Sequence, residues 1–495
     1  MKIAIGKGKR DLTANEIARA CDAELVCLPE YIDCKIRFVC TDSREARADT
    51  LFVAIKGEHT DGHNFILSTV SHGCRCFLCE NIPQNIPALT KDTLVFIKVN
   101  NVTEALGRIA GYYVKKCCRD VKCIGITGSV GKTTAKEMIS AVLSVDRNVH
   151  KTQGNYNSDI GLPLVLLETP DMSDVNVIEM GMGQRGDISY LSRISEPDVA
   201  VITAIGSSHI ESLGSRENIA LEKLDITAGM KADSMLIING DEPLLSSYSN
   251  KDINIISVSL NNSQHPIYAT NIRYGLFSIV FDLVDNIKSE TLYNVLINLP
   301  GEHNIYAALF AYTIASCVYK MDPHRIKSGI ASFRSVGMRQ NIKPLGKGML
   351  LVEDCYNASP ESMIASLKAA TEMKRLKESR LIAVLGDMLE LGDMSRELHE
   401  KVGKNVAQLE VDLLITFGTQ ARYIAEAAKN SGLPEERIIT FDDVSDSVAD
   451  ICAYEVVSRV CADDVILVKA SRGIKAERIS SYIENRFKIF GVDKL

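Results

Sequence analysis

Lys132 and Thr133 stand directly behind Gly128-Ser129-Val130-Gly131 and ahead of Thr134. An ammonium and a hydroxyl on adjacent residues, at the end of a glycine-rich turn, suit a polyphosphate and its divalent cation. Glycines let backbone N–H groups converge on phosphate oxygens. The lysine would bridge the β- and γ-phosphates, and the threonine hydroxyl would ligate Mg²⁺. The turn is shorter than the usual Walker pattern, whose leading glycine falls here on Ile126. The bland alternative is a glycine-rich strand-to-helix turn carrying a surface lysine.

Three further side chains are candidates for the same chemistry. Glu179 ends the apolar run VNVIE. A carboxylate there must be satisfied, by a metal or by solvent at an edge. His209 follows the run VAVITAIG; a lone histidine is more often structural, but beside a phosphate loop it becomes a candidate metal ligand. Lys223 sits in RENIALEKLDI, where residue pattern alone makes it a solvated helix residue. A fourth grouping is His72, Cys74, Cys76 and Cys79 in HGCRCFLCE. It reads either as a zinc site or as a buried strand using cysteine as a small hydrophobe; no second CxxC pair follows, which favours the strand.

These residues need elements to hold them. VKCIGITG predicts a buried strand and KTTAKEMISAVLS a helix, so the loop opens a helix whose N-terminus adds positive potential. VNVIEMGM, VAVITAIG and DSMLIING predict more buried strands, and the alternation with helices predicts a parallel sheet covered on both faces. A helix over about 103–116 precedes this unit, and EHNIYAALFAYTIASCVYKM predicts a strongly apolar helix after Pro300-Gly301. The first hundred residues mix short strands such as TLFVAIKG and TLVFIKVN with turns. Beyond Val336, MLLVEDC, RLIAVLGD, DLLITFG, RIITFD and DVILVKAS alternate with helices and predict a doubly wound α/β unit. The expected organisation is α/β in three domains: 1–102, 103–335 and 336–495.

Composition narrows the function classes. The chain has 495 residues, 46% hydrophobic and 24% charged, with no tryptophan and a net charge of -7. That balance opposes nucleic acid as a partner and leaves room for a small polyanion in a local basic pocket. No segment reads as a signal peptide or a membrane span, so no stable membrane insertion and a cytoplasmic location are expected. The 14 scattered cysteines fit a reducing compartment.

Taken together, GSVGKTT, TQGNYNSDIGLPL, VIEMGMG, SHIESLG and GEHNIYAALFA resemble the Mur ligases, and TDSREARADTLFVAIKGEHTDGHNF is similar to that family's uridine-nucleotide domain. The likeness runs from about residue 40 to about residue 480. EDCYNASPESM and VLGDMLELGDMSRELH favour the member that takes D-alanyl-D-alanine as its amine. The resemblance implies a small N-terminal uridine-nucleotide domain, a central P-loop ATPase-like domain and a C-terminal Rossmann-like ligase domain.

It also assigns roles. Gly128, Ser129, Val130, Gly131, Lys132, Thr133 and Thr134 match the phosphate loop. Thr133, Glu179 and His209 match magnesium positions, and Lys223 matches a lysine that carries a carbamate in several members and so becomes an oxygen ligand. Asn304, Arg339, Asp354 and Tyr356 match nucleotide-contacting positions, and Ser43 and Arg44 match positions that hold the uridine diphosphate. Asn155, Asn157, Asn357 and Asp387 lie in matching motifs and are expected at the substrate. The chain departs from the family at Cys355, usually Ser, and at Ser359, usually Asn; altered packing rather than lost activity is expected. ATP, two Mg²⁺ ions, UDP-N-acetylmuramoyl-tripeptide and D-alanyl-D-alanine are the implied cofactors and substrates, and a monomer is expected. The rivals are another Mur-type or a folylpolyglutamate-type ligase, and a P-loop protein that uses ATP to switch conformation.

Overall fold

The computed structural model describes residues 1–86 and 91–487. Among the described residues, three sheets of six, nine and six strands, together with a two-stranded ribbon, carry an α/β fold.

The first large sheet runs Lys2–Ala4, Phe38–Cys40, Thr50–Val53, Cys76–Cys79, Val95–Lys98, Glu24–Val26, parallel in its middle and antiparallel at both edges. Period-two alternation sends Phe52, Phe77 and Phe96 to one core and Leu51, Val53 and Leu78 to the other. Phe77 and Phe96 stack at 5.3 Å between centroids. The helix Val102–Cys117 then packs against both this unit and the helices of the next.

The second sheet positions the candidate site. Its order is Val149–Lys151, Val175–Glu179, Lys122–Thr127, Val199–Ile202, Met235–Asn239, Asn254–Leu260, Ile267–Tyr274, Ile279–Asp285, Glu290–Ile297. The first seven strands are parallel. The last two join antiparallel, an edge added to the parallel sheet that the sequence predicts. The sheet tolerates this because IYATNIRY and its partners alternate buried and open positions, as a one-sided antiparallel edge does. Strand order reverses beside Lys122–Thr127, whose neighbours on its two sides are the strands ending at Glu179 and Ile202. Ligands of open α/β sheets bind in the crevice at such a reversal, outside the carboxyl ends of the strands.

The third sheet runs Asn341–Pro344, Leu350–Asp354, Val465–Lys469, Leu381–Gly386, Leu413–Phe417, Ile438–Phe441, parallel except for the hairpin formed by its first two strands. The helix Pro360–Lys377 covers one face, and Asp446–Arg459 and Glu477–Phe487 cover the other. Every residue of Val465–Lys469 is buried. Each apolar one contributes about 1.5–3 kcal/mol, and the lysine at the end of the strand must find a partner. No helix among the described residues is long and apolar enough to cross a membrane.

Candidate active site

The loop after Lys122–Thr127 is shaped by two glycines. Gly128 has φ 149°, and a Cβ there would lie 1.9 Å from Thr203 Oγ1; Gly131 has φ 85°. The loop is tied down by Ser129 N, which donates to Ala204 O at 2.8 Å. Ser129 Oγ is buried without a hydrogen-bond partner, an orphan that an anion in the loop would satisfy. Lys132 Nζ folds back to donate to Gly128 O at 2.6 Å. Burial lowers its pKa, Glu179 opposes the shift and Arg339 adds to it. An incoming polyphosphate would relieve both costs.

Glu179 is 3% exposed, which corrects the solvent-facing alternative. Thr133 Oγ1 donates to its Oε2 at 2.9 Å and Asn157 Nδ2 to its Oε1 at 2.9 Å. Its backbone N–H donates to Thr152 Oγ1 at 2.9 Å. Lys136 reaches the same carboxylate from behind: its Nζ lies 3.7 Å from Glu179 Oε2 and donates to Thr152 O at 2.8 Å. Two hard oxygen donors, the Thr133 hydroxyl and the Glu179 carboxylate, therefore meet at the phosphate loop, a donor set that suits Mg²⁺.

Lys223 is not solvated. It is 1% exposed, and its Nζ has the Met182 sulfur at 3.5 Å. Burial, with repulsion from Lys132, takes its pKa well below the ordinary lysine value against the pull of Glu222. The Glu222 carboxylate is engaged elsewhere, accepting from Gly186 N and Ile188 N. Burial therefore favours the neutral amine. His209 opens the short helix Ile210–Leu213, and its Nδ1 lies 3.0 Å from Glu390 Oε2 of the third domain.

The opposite wall comes from the third domain and the segment leading to it. A cleft of about 330 Å³ is lined by Ser129 to Thr134, Asn304, Arg339, Asp354, Tyr356 and Asn357. The Arg339 guanidinium stacks on the Tyr356 ring, 4.1 Å from its centroid. Asn304 Nδ2 donates to Gln340 Oε1 at 3.0 Å and to Pro300 O at 2.7 Å. Asp354 accepts from Lys469 Nζ at 2.7 Å and from Ser366 Oγ at 2.6 Å. Burial works against the charge on Asp354, but Lys469 and Ser366 outweigh it and hold the carboxyl below its usual range.

Other expected residues lie elsewhere. Arg44 is exposed and paired with Asp42 at 2.6 Å, with Ser43 between them in a turn of the first domain. Asn155 is exposed beside Asn157, whose backbone N–H donates to its carbonyl at 2.8 Å. Asp387 spends Oδ1 on the backbone N–H groups of Gln420 and Ala421, so it shapes a loop of its own domain. Cys355 is buried against Val468 O at 3.3 Å, and burial pushes its thiol up to about 12. Ser359 caps the helix Pro360–Lys377 in a reciprocal box with Ser362. Cys76 and Cys79 bound a buried strand, Cys74 is buried ahead of it, and His72 is exposed on the preceding turn, in line with the strand reading.

Sequence reasoning missed Lys136, Gln340, Glu361 and Lys469. Lys469 carried a signal, a charge inside the apolar run DVILVKAS. Lys136 lies one helical turn beyond Lys132, on the face that the strand Val175–Glu179 covers.

Comparison with known proteins matches three descriptions to this chain: "Mur ligase family, catalytic domain" at residues 35–113, "Mur ligase middle domain" at 126–315, and "Mur ligase, glutamate ligase domain" at 338–472. The UDP-N-acetylmuramoyl-tripeptide–D-alanyl-D-alanine ligase of Bacillus subtilis is 34% identical over 91% of this chain and 94% of its own. A crystal structure of MurF from Acinetobacter baumannii superposes with a TM-score of 0.84 at 26% identity, covering 96% of this chain and 99% of the other. MurF ligase from Thermotoga maritima in complex with ADP gives 0.78 at 28% identity, over 90% and 97%.

Proposed function

The chain belongs to the Mur ligase family, and on that premise we propose that it joins the amine of D-alanyl-D-alanine to the terminal carboxylate of UDP-N-acetylmuramoyl-tripeptide at the expense of ATP, a step of peptidoglycan precursor synthesis. The observation that carries this reading is the convergence of two domains on one cleft. Lys132 and the Thr133–Glu179 pair stand on one side, and Arg339, Tyr356 and the Lys469–Asp354 pair on the other.

The peptide carboxylate attacks the γ-phosphorus of ATP and ADP leaves, forming an acyl phosphate. The dipeptide amine attacks its carbonyl, phosphate departs, and the amine proton passes to solvent or base. Lys132 leaves the Gly128 carbonyl for the β- and γ-phosphates and offsets charge there, and Arg339 does the same from the other wall. The Tyr356 ring holds the guanidinium in place. Asn304 presents an amide beside Gln340, where it can meet the nucleotide. Docking of the third domain excludes water, which an acyl phosphate requires.

Thr133, Glu179, His209 and a carbamylated Lys223 would hold Mg²⁺, two ions in this reading, which supplies neutralisation of the phosphate charge. Carbamate formation requires the free amine, the form that the burial of Lys223 favours. Ser43 and Arg44, in residues 1–102, meet the uridine diphosphate; Asn155, Asn157, Asn357 and Asp387 belong to the substrate side. Residues 103–335 form the ATP-binding domain and 336–495 the ligase domain. ATP and a uridine nucleotide as substrates place the work in the cytoplasm, and the chain acts as a monomer.

Substrate labelled with ¹⁸O in its terminal carboxylate tests this. One label per turnover should appear in the released phosphate, together with a ligated product at the expected mass. Release of unlabelled phosphate, or phosphate release independent of the dipeptide, would overturn it.

A further inference from the structure

His209 belongs to the loop that follows the strand Val199–Ile202, and the third domain grips that loop at three points. His209 Nδ1 is 3.0 Å from Glu390 Oε2. Ser207 donates to Glu361 through its backbone N–H at 3.2 Å and its hydroxyl at 2.9 Å. Gly392 packs on Glu211, whose Cγ a Cβ at Gly392 would approach to 3.0 Å. Both members of the first contact have left-handed backbone, φ 64° at His209 and φ 63° at Glu390, a region that few non-glycine residues adopt. The Glu390 side chain is 65% exposed, and an ion pair so open to water adds little to stability. Two unusual backbone conformations are therefore aligned on a contact of small structural worth.

The contact bears instead on the orientation of the imidazole. A carboxylate 3.0 Å from Nδ1 favours the tautomer protonated there, which leaves the Nε2 lone pair free as a metal-binding histidine needs. We propose that Glu390 is a positioning residue of the third domain that orients His209 for Mg²⁺, so that this metal position is completed by domain docking. The proposal rests on the reading that His209 is a magnesium ligand. It makes metal affinity a sensor of closure: with the third domain undocked, His209 loses the partner that sets its tautomer and the loop loses all three grips.

The test uses the full-length protein with a non-hydrolysable ATP analogue and Mn²⁺, free Mn²⁺ being counted by electron paramagnetic resonance. His209→Ala should weaken one class of Mn²⁺ site. Glu390→Ala should weaken that same class by about tenfold, the usual scale for removing the partner of a metal-binding histidine. Glu390→Gln, whose amide oxygen still accepts from Nδ1, should lose less. The double variant should lose no more than His209→Ala alone. In turnover, Glu390→Ala should raise the Mg²⁺ concentration for half-maximal rate while KM for the dipeptide and the melting temperature hold, a pattern a merely structural contact would not produce. If His209→Ala weakens Mn²⁺ binding and Glu390→Ala does not, the positioning role is overturned and the ligand reading stands. If His209→Ala leaves Mn²⁺ binding unchanged, both fall.

Discussion

Lys223→Met removes an amine from a place where its charge is penalised and leaves a side chain of similar length. With burial as the main cause, the Lys223 pKa lies well below 10.5 in the folded chain. In the unfolded chain it returns to about 10.4. Between those values the unfolded state binds one more proton than the folded state, so wild-type stability rises with pH by about 1.4 kcal/mol per unit. The penalty is absent above the ordinary lysine value, grows as pH falls, and stops growing below the folded value. The methionine variant has no such penalty, and all other groups are shared. Its melting temperature should therefore exceed the wild type's by an amount that widens by about 3–6 °C for each unit from pH 9.5 downward, taking about 2–4 °C per kcal/mol for a domain of this size. The measurement is scanning calorimetry in CO2-free buffer with a chelator, so that the lysine is unmodified. Ligation by the variant should be lost, and for Lys223→Ala added short carboxylic acids should restore part of it. A gap that stays flat with pH, or a variant less stable than wild type, would show that Lys223 is charged and satisfied in the fold, and the argument for a reactive neutral amine would end.

Lys132→Ala should retain the wild-type melting profile and lose most ATP-dependent turnover, checked by coupled ADP release; near-normal ligation would remove the loop assignment. Lys469→Met leaves the Asp354 carboxylate buried and unpaired and should cost about 3–5 kcal/mol at neutral pH. The pair's contribution is present above the unfolded carboxylate value and is lost as pH falls through the lower folded value of Asp354, so the deficit measured by denaturant titration should shrink below about pH 4. Ser359→Ala should cost about 1 kcal/mol and Ser359→Asn a few tenths or less, because serine and asparagine side chains both accept from the first turn of a helix; calorimetry on the two variants checks this.

What was legible in the sequence was whatever a short segment decides by itself. Gly128 and Gly131 announce a turn because no other residue adopts those angles against Thr203 so cheaply. The third-domain strands were legible because each is a buried run bounded by turns. Lys223 was misread for the opposite reason. Helical spacing says which residues share a face, and it does not say what lies against that face; Met182 and Lys132 come from elsewhere in the chain. The antiparallel edge at 279–297 has no reading in the sequence, because its pairing partners are set by the sheet it joins rather than by its own residues. Contacts such as His209 with Glu390, 181 positions apart by number, have no local signature at all.

These long-range contacts explain why the two walls of the cleft are built so differently. The central wall is rigid: the loop is tied to the sheet by Ser129 and Thr203, and Glu179 is fixed by four separate neighbours. The third-domain wall meets it through Glu361 on Ser207, Glu390 on His209 and Gly392 on Glu211. A reaction with a water-sensitive anhydride needs an arrangement that opens for a large nucleotide and shuts before phosphoryl transfer. Among those contacts, an ion pair as open to water as the one at Glu390 breaks at low cost. Placing those contacts on residues beside the phosphate loop and the proposed metal position makes closure and charge neutralisation one event, so that the acid is activated when the lid is down.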